Sequence, residues 1–192
     1  MRKIKPRQCG CKCGLEFIPK NSLHVAATPE CAIRIAKEKA ARRHKEAEKV
    51  ARKAVKERKE SLKTRSDYIK ECQKAFNAFI RARDRGKPCI CCGKPWREGG
   101  TGGAFDCGHY RSVGSAPHLR FVETNAHGQD KQCNRWGSGR AVDYRIGLIA
   151  RIGLEAVEAL EADQTDRKYT IDELKVMIAE YRRRTRELLR NT

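Results

Sequence analysis

With 192 residues, 43 Lys/Arg against 24 Asp/Glu and a formal net charge of +19, the chain has room for one compact domain with appendages and points to a polyanionic partner. Apolar residues make up 39% and aromatics 6%; no apolar run approaches the roughly 20 residues of a membrane span, and the basic N-terminus Met1-Arg-Lys-Ile-Lys-Pro lacks the apolar stretch of a secretion signal. Membrane spans and secreted disulfide scaffolds are thereby set aside, an anionic membrane surface is disfavoured because the basic helical segments carry no face of bulky Trp, Phe or Leu, and eight of the ten cysteines, all but Cys72 and Cys107, read as metal ligands in a reducing compartment.

Residues 1–31 read as a Cys-rich knuckle. Cys9-Gly-Cys11-Lys-Cys13-Gly is one turn, and Pro29-Glu-Cys31 lies about 18 residues on. Cys9, Cys13 and Cys31 can share a zinc ion, with His24 the nearest fourth ligand beyond the first-turn thiols. The alternative is a metal-free knuckle.

Residues 32–65 hold no Gly or Pro, and 14 Lys/Arg face 5 Asp/Glu. These are good helix formers. Without a heptad of large apolar residues, no coiled coil is expected. A long exposed basic helix is predicted, either a solvated spacer or, as the one-sided excess favours, a phosphate-contacting element through Arg42, Arg43, Lys49, Arg52, Lys53 and Lys56.

Ser66 can cap the next helix, which runs to about Asp84. Tyr68, Ile69, Cys72, Phe76, Phe79 and Ile80 give it one apolar face. Gly86 and Pro88 end it and lead into a cysteine block, against which it is expected to pack. Cys72 reads as plain core.

Cys89-Ile-Cys-Cys92, Asp106-Cys-Gly-His109, Asn125-Ala-His127 and Cys133-Asn134 follow within 46 residues. Cys89 and Cys92 have the spacing of two thiolates on one zinc. Cys133 and Asp130 can complete the set, with Cys91, Cys107 or His127 as substitutes. A short strand ending at His109, a second strand or its approach over His118–Val122, and a helix from about His127 make a zinc-stapled ββα unit. In such a unit His109 deprotonates water, Asn125 holds the imidazole, and Asp106 with Asn134 binds one Mg²⁺ or Mn²⁺. Arg111 and Arg135, which flank the site, are expected to contact DNA. The rival reading is a zinc-ribbon DNA-binding module whose His and Asn are structural. His127 stays open between zinc ligand, helix-start polar group and phosphate contact. His44 and His118 read as surface.

Beyond a turn at Gly137-Ser-Gly139, residues 141–162 form one helix or two broken near Gly153. Thr170-Ile-Asp-Glu173 is a capping box for the last helix, whose inward residues are Ile171, Leu174, Ile178, Tyr181 and Leu188. Arg182 and Arg183 lie in its arginine-rich second half. They either complement the helix dipole or contact DNA.

At these residues the chain resembles the NinG (Rap) recombination proteins of lambdoid phages. The likeness runs nearly the whole length. It includes Pro29-Glu-Cys31, Asn77-Ala-Phe-Ile-Arg81, Asp84-Arg85, Pro88-Cys-Ile-x-Cys-Gly93, Asp106-x-Gly-His-Tyr110, Leu119-Arg-Phe121, Asn125-x-His127, Cys133-Asn134 and Arg151-Ile-Gly-x-Glu-Ala-Val157. The resemblance implies an HNH-like (His-Me finger) endonuclease acting on branched DNA such as Holliday junctions and D-loops. It would work in the host bacterial cytoplasm, alongside phage or host recombination proteins. It also implies His109 as base, Asn125 as middle Asn and Asn134 as last member. The chain departs from the family at Asp130 and Ala27, where the family has Cys; Cys11 and Cys91 are additional thiols.

The expected architecture is mainly α with a small zinc-stapled ββα core. Its segments are the knuckle (1–31), the basic helix (32–65), a helix plus nuclease core (66–140) and C-terminal helices (141–192). A homodimer presenting two sites matches the two-fold symmetry of a four-way junction. Two rivals remain: a non-catalytic DNA-binding recombination mediator, and a zinc-knuckle RNA-binding protein, which the scarcity of aromatic stacking platforms disfavours.

Overall fold

The structure is a computed structural model that describes residues 5–97, 99, 103–137 and 139–190. It is mainly helical with two small antiparallel sheets, and the chain divides into two compact units, Met1–Leu62 and Lys63–Thr192. Among the described residues no helix is long and apolar enough to cross a membrane.

In the first unit β1 (Arg7–Gln8) pairs with β2 (Glu16–Phe17), and the loop between them carries three cysteines. α1 (Pro29–Ser61) follows. It starts earlier than the expected 32 because Thr28 caps it: the Thr28 hydroxyl accepts from the Cys31 amide at 3.2 Å, and Pro29 sits where a missing N–H costs nothing. Cys31 is the one buried residue of this 33-residue helix, so tertiary packing contributes little beyond its first turn.

The second unit begins with α2 (Arg65–Arg83), capped by Thr64 rather than Ser66. Thr64 has an acid three positions on, and the two close a capping box: Thr64 N donates to Asp67 Oδ2 at 2.9 Å, and Asp67 N donates to Thr64 Oγ1 at 3.3 Å. Ser66 has Ile69 at that place and cannot compete. The apolar face of α2 was expected against the cysteine block. Its main partner is instead α5 (Ile171–Arg190), with Phe76 and Phe79 ring centroids 5.2 and 5.4 Å from that of Tyr181. Cys72 is buried in this core, and Thr170 and Glu173 cap α5 as the motif predicts.

β3 (Phe105–His109) pairs antiparallel with β4 (Ala126–Asp130), His109 opposite Ala126 and Phe105 opposite Asp130. The second strand therefore lies later than the expected His118–Val122. Pro117, which has no N–H to pair, starts a 3₁₀ turn over Pro117–Leu119, and a second turn covers Glu123–Asn125. β4 is buried on both faces, so it lacks the polar/apolar alternation that marks a strand. His127 sits inside that strand, not at a helix start. A π-helical turn, Gln132–Trp136, takes the helix's place.

α3 (Ala141–Ile152) and α4 (Leu154–Ala162) break at Gly153, whose φ of 88° suits glycine. They bury Tyr144, Leu148, Val157 and Leu160 with Ile90, Ala116 and Leu119 in a second core. α3 runs against the Cys89–Cys92 turn at Gly147, where a Cβ would stand 1.7 Å from the Ile90 carbonyl oxygen.

Candidate functional site

Four thiols meet in the first unit. Cys9, Cys11, Cys13 and Cys31 bring their Sγ atoms within 4.8 Å of one another, with Cys9–Cys11 at 3.3 Å and Cys13–Cys31 at 3.8 Å. A tetrahedral Zn–S₄ site has sulfur–sulfur edges of about 3.8 Å, so the donor set fits zinc. Cys11, not His24, is the fourth member. His24 accepts from the Lys20 amide and packs on Phe17. The Ala27 amide donates to Cys9 Sγ, and Arg34 donates to Cys11 Sγ at 2.6 Å. Burial would raise the Cys11 thiol, but the Arg34 guanidinium and neighbouring thiols bring it down to about 6.

In the second unit Cys89, Cys92 and Cys133 form a three-thiol cluster within 4.8 Å. Asp130 does not join it. Its carboxylate is fully buried, accepts from Arg97 Nη2 at 2.7 Å and from the Gln132 amide at 2.9 Å, and so closes the turn after β4. Its amide, rather than its carboxylate, faces the cluster, donating to Cys89 Sγ at 3.2 Å. Cys91 lies outside that set of three but is the nearest further thiol, its Sγ 3.5 Å from Cys89 Sγ and accepting from Gln129 Nε2 at 3.3 Å. Cys107 belongs to the α2 core, and His127 bonds Arg83 and the Thr124 carbonyl, so neither serves as a substitute ligand.

His109 closes β3 and lines a cleft of about 560 Å³ together with Arg111, Ser112, Asn134 and Tyr144. Its Nε2 lies 2.9 Å from the Arg120 carbonyl oxygen. A carbonyl only accepts, so Nε2 carries the proton and the neutral ring keeps its lone pair on Nδ1. Burial lowers the His109 pKa below the usual histidine value. Asn125 was expected to hold this imidazole directly, and it does not. It is fully buried and clasps the loop between the strands: Oδ1 accepts from the Arg111 amide at 2.8 Å, and Nδ2 donates to the carbonyls of Arg111 and Leu119 at 3.0 and 3.2 Å. That loop carries the Arg120 carbonyl, so Asn125 acts on His109 through the backbone.

Asn134, on the π-helical turn, donates to Asp106 Oδ2 at 3.3 Å. Arg135 clamps the same carboxylate from Nε at 2.7 Å and Nη2 at 3.2 Å. Asp106 is out of phase with Cys107 and His109 along the strand; the latter two line the cleft and Asp106 does not.

The basic residues divide by environment. Arg42, Arg43, Lys49, Arg52, Lys53 and Lys56 are all exposed on α1, where contacts are long i,i+3 and i,i+4 pairs such as Lys53–Glu57 at 3.8 Å. Arg111 donates to the carbonyls of Leu160 and Glu161 at the end of α4. Arg182 pairs with Glu71, and Arg183 with Glu180 and Glu187 on its own helix. The last three guanidiniums have local partners that a DNA phosphate would have to displace.

Three parts escape sequence reasoning. The Arg120 carbonyl is backbone and has no sequence signal. Asp84 is buried with Arg83 at 2.8 Å, Lys87 at 3.2 Å and the Gly128 amide at 2.8 Å, joining the end of α2 to β4; the shared Asp84-Arg85 pair marks the position in the sequence but not its burial. His118, expected at the surface, is largely buried against the Asp163 carbonyl at 3.0 Å.

Across residues 1–191 the sequence matches the family described as Bacteriophage Lambda NinG protein. It is 41% identical to protein ninG of Escherichia phage lambda over 198 aligned residues, covering 96% of this chain and 95% of the relative. Protein ninG of Salmonella phage P22 is 40% identical, covering 98% and 96%, and that of Escherichia phage 933W is 39% identical, covering 96% and 95%. No solved structure matches.

Proposed function

The chain belongs to the bacteriophage NinG family, and on that premise we propose that it is a structure-specific endonuclease of branched DNA, built on an HNH-like ββα core. The observation that carries the reading is His109. A neutral imidazole, its proton fixed on Nε2 by the Arg120 carbonyl, sits at a cleft with Asn134 at the end of a two-stranded hairpin followed by a helical turn. In the proposed reaction Nδ1 takes a proton from water, the water oxygen bonds to phosphorus, and the phosphorus–oxygen bond to the leaving strand breaks; that oxygen is then protonated from solvent. A divalent cation, Mg²⁺ or Mn²⁺, would neutralise charge on the leaving oxygen when bound. Asn134, which lines the cleft, and Asp106, its hydrogen-bond partner just outside it, are the oxygen donors that would hold it, once Arg135 releases the carboxylate. The two thiol clusters would hold structural zinc, which staples loops in a chain poor in apolar residues.

Branched DNA follows from the family resemblance and from the net charge of +19. A homodimer would match a two-fold junction; sedimentation as a monomer both free and on a junction would count against it. Phage or host recombination proteins as partners, and the host cytoplasm as location, belong to the same reading.

A second reading has its own support. The bidentate Arg135–Asp106 pair neutralises the one carboxylate beside Asn134, which favours a zinc-containing, non-catalytic DNA-binding recombination mediator. The deciding experiment is cleavage of a labelled four-way junction beside a matched linear duplex, with Mg²⁺ or Mn²⁺, by wild type and His109→Ala. Junction-selective cutting lost in the variant supports the nuclease. Tight junction binding without cutting under either metal supports the mediator.

A further inference from the structure

We propose that the pocket between α2, α5 and the start of β3 binds one unpaired DNA nucleotide, its base stacked on Trp96 and its phosphate held by the surrounding arginines. The proposal rests on the DNA-binding part of the reading above and adds a site away from the His109 cleft.

The pocket measures about 370 Å³, within the range of small-ligand sites (about 300–1,000 Å³). Its lining includes Arg81, Arg85 and Arg97, and no carboxylate among the described residues. Half-buried Arg81 has no hydrogen-bond or ion-pair partner among the described residues. Arg97 is anchored by the fully buried Asp130 at 2.7 Å, which fixes the guanidinium while leaving the side chain 57% exposed. Arg97 is thus matched by a carboxylate, but Arg81 is not, and its charge calls for an anion.

The floor is aromatic. The Trp96 and Phe105 rings lie 4.6 Å apart at 33°, and the edge of Trp96 rests over Gly128. The indole is seated on the hairpin and still lines the pocket. The indole N–H is buried and has no acceptor among the described residues. A buried donor without a partner is costly. A simple anion needs no aromatic floor, whereas a nucleotide uses both parts: its phosphate meets guanidinium and its π-face meets indole. Only an unpaired base can reach such a floor, and branched DNA offers unstacked bases at its branch point.

The test uses the full chain. Trp96 is one of two tryptophans, so Trp136→Phe leaves it as the sole reporter. Titration with oligothymidylate of about six nucleotides should quench that fluorescence saturably. Trp96→Leu should weaken oligothymidylate binding about five- to a hundredfold, leave linear-duplex affinity unchanged, and be rescued by Trp96→Phe. Arg81→Gln should lower the slope of log affinity against log salt by about one. Circular dichroism and melting of each variant report folding, and should Trp96→Leu fail to fold, Trp96→Phe and Arg81→Gln carry the test. Absent quenching, equal losses on duplex and single strand, or full competition by inorganic phosphate at matched ionic strength would each overturn the proposal. Binding is read without cleavage, so a chain that binds oligothymidylate and cuts no junction would sink the nuclease reading alone.

Discussion

The Nε2 of His109 lies 2.9 Å from the carbonyl oxygen of Arg120, and this one contact sets the tautomer of the ring. Burial works in the same direction, lowering the pKa below the ordinary value of about 6.5. The neutral form is the base, so activity should rise with pH through an acid limb lying below that value and be flat by pH 7. Single-turnover junction cleavage from pH 5 to 9 measures it. A limb centred above 6.5 would mean that another group supplies the base.

Asn125 closes the loop that presents that carbonyl. Asn125→Ala removes three hydrogen bonds at a fully buried site, so a loss of about 2–4 kcal/mol is expected. Cleavage should fall with it while junction affinity holds, because none of these bonds faces the solvent. Denaturant unfolding and gel-shift binding separate the two effects. An unchanged cleavage rate would show that the Arg120 carbonyl does not depend on the clasp.

The thiol clusters lead to a count. The protein should bind about two zinc ions, one per cluster. Cys11→Ser should remove about one of them, and Cys91→Ser should weaken the second. Asp130→Asn should keep both, because its carboxylate faces Arg97 and Gln132 rather than sulfur. A chromophoric chelator assay on denatured protein gives the numbers. Loss of zinc in Asp130→Asn with retention in Cys91→Ser would reverse the assignment of the fourth ligand.

Much of this was legible in the chain. The Cys spacings, the break at Gly153 and the Thr170–Glu173 cap are local signals, and the structure carries each of them. The second strand was misplaced because Ala126–Asp130 is buried on both faces and so hides its period. Ser66 has the residue type of a cap, but the position three residues on decides: Thr64 has Asp67 there and Ser66 has only Ile69. Asp130 looked like a ligand by spacing alone. The side chain of Arg97, distant in sequence, claims its carboxylate, and no spacing rule carries that information.

Asp84 is the buried charge that joins helix to hairpin. Burial opposes its ionisation, yet His127, Arg83 and the Gly128 amide hold it well below the usual carboxylate range. A depressed pKa gives stability that is present above the unfolded value of about 3.9 and lost as pH falls beneath it. Asp84→Asn should therefore cost about 3–5 kcal/mol near neutrality, since it leaves the Arg83 guanidinium without its buried counter-charge. The gap from wild type should narrow below about pH 4. Urea midpoints at pH 7 and pH 3.5 test it, and an equal gap at both would assign the cost to shape rather than charge.

Arg135 decides whether Asp106 can receive a cation. Its Nε is 2.7 Å from Oδ2, and its side chain is 59% exposed, so solvent screens the pair strongly. Deleting one positive charge at that distance should tighten Mn²⁺ binding by about 1 kcal/mol, roughly fivefold. Arg135→Ala should accordingly cut junctions at lower Mn²⁺ concentration than wild type, provided the arginine is not itself a phosphate contact. Direct Mn²⁺ titration by electron paramagnetic resonance, without DNA, removes that proviso. Asp106→Asn should abolish the tight site in the same titration. If neither variant changes Mn²⁺ affinity, Asp106 is a partner of Arg135 and nothing more. The mediator reading would then stand on firmer ground than the nuclease.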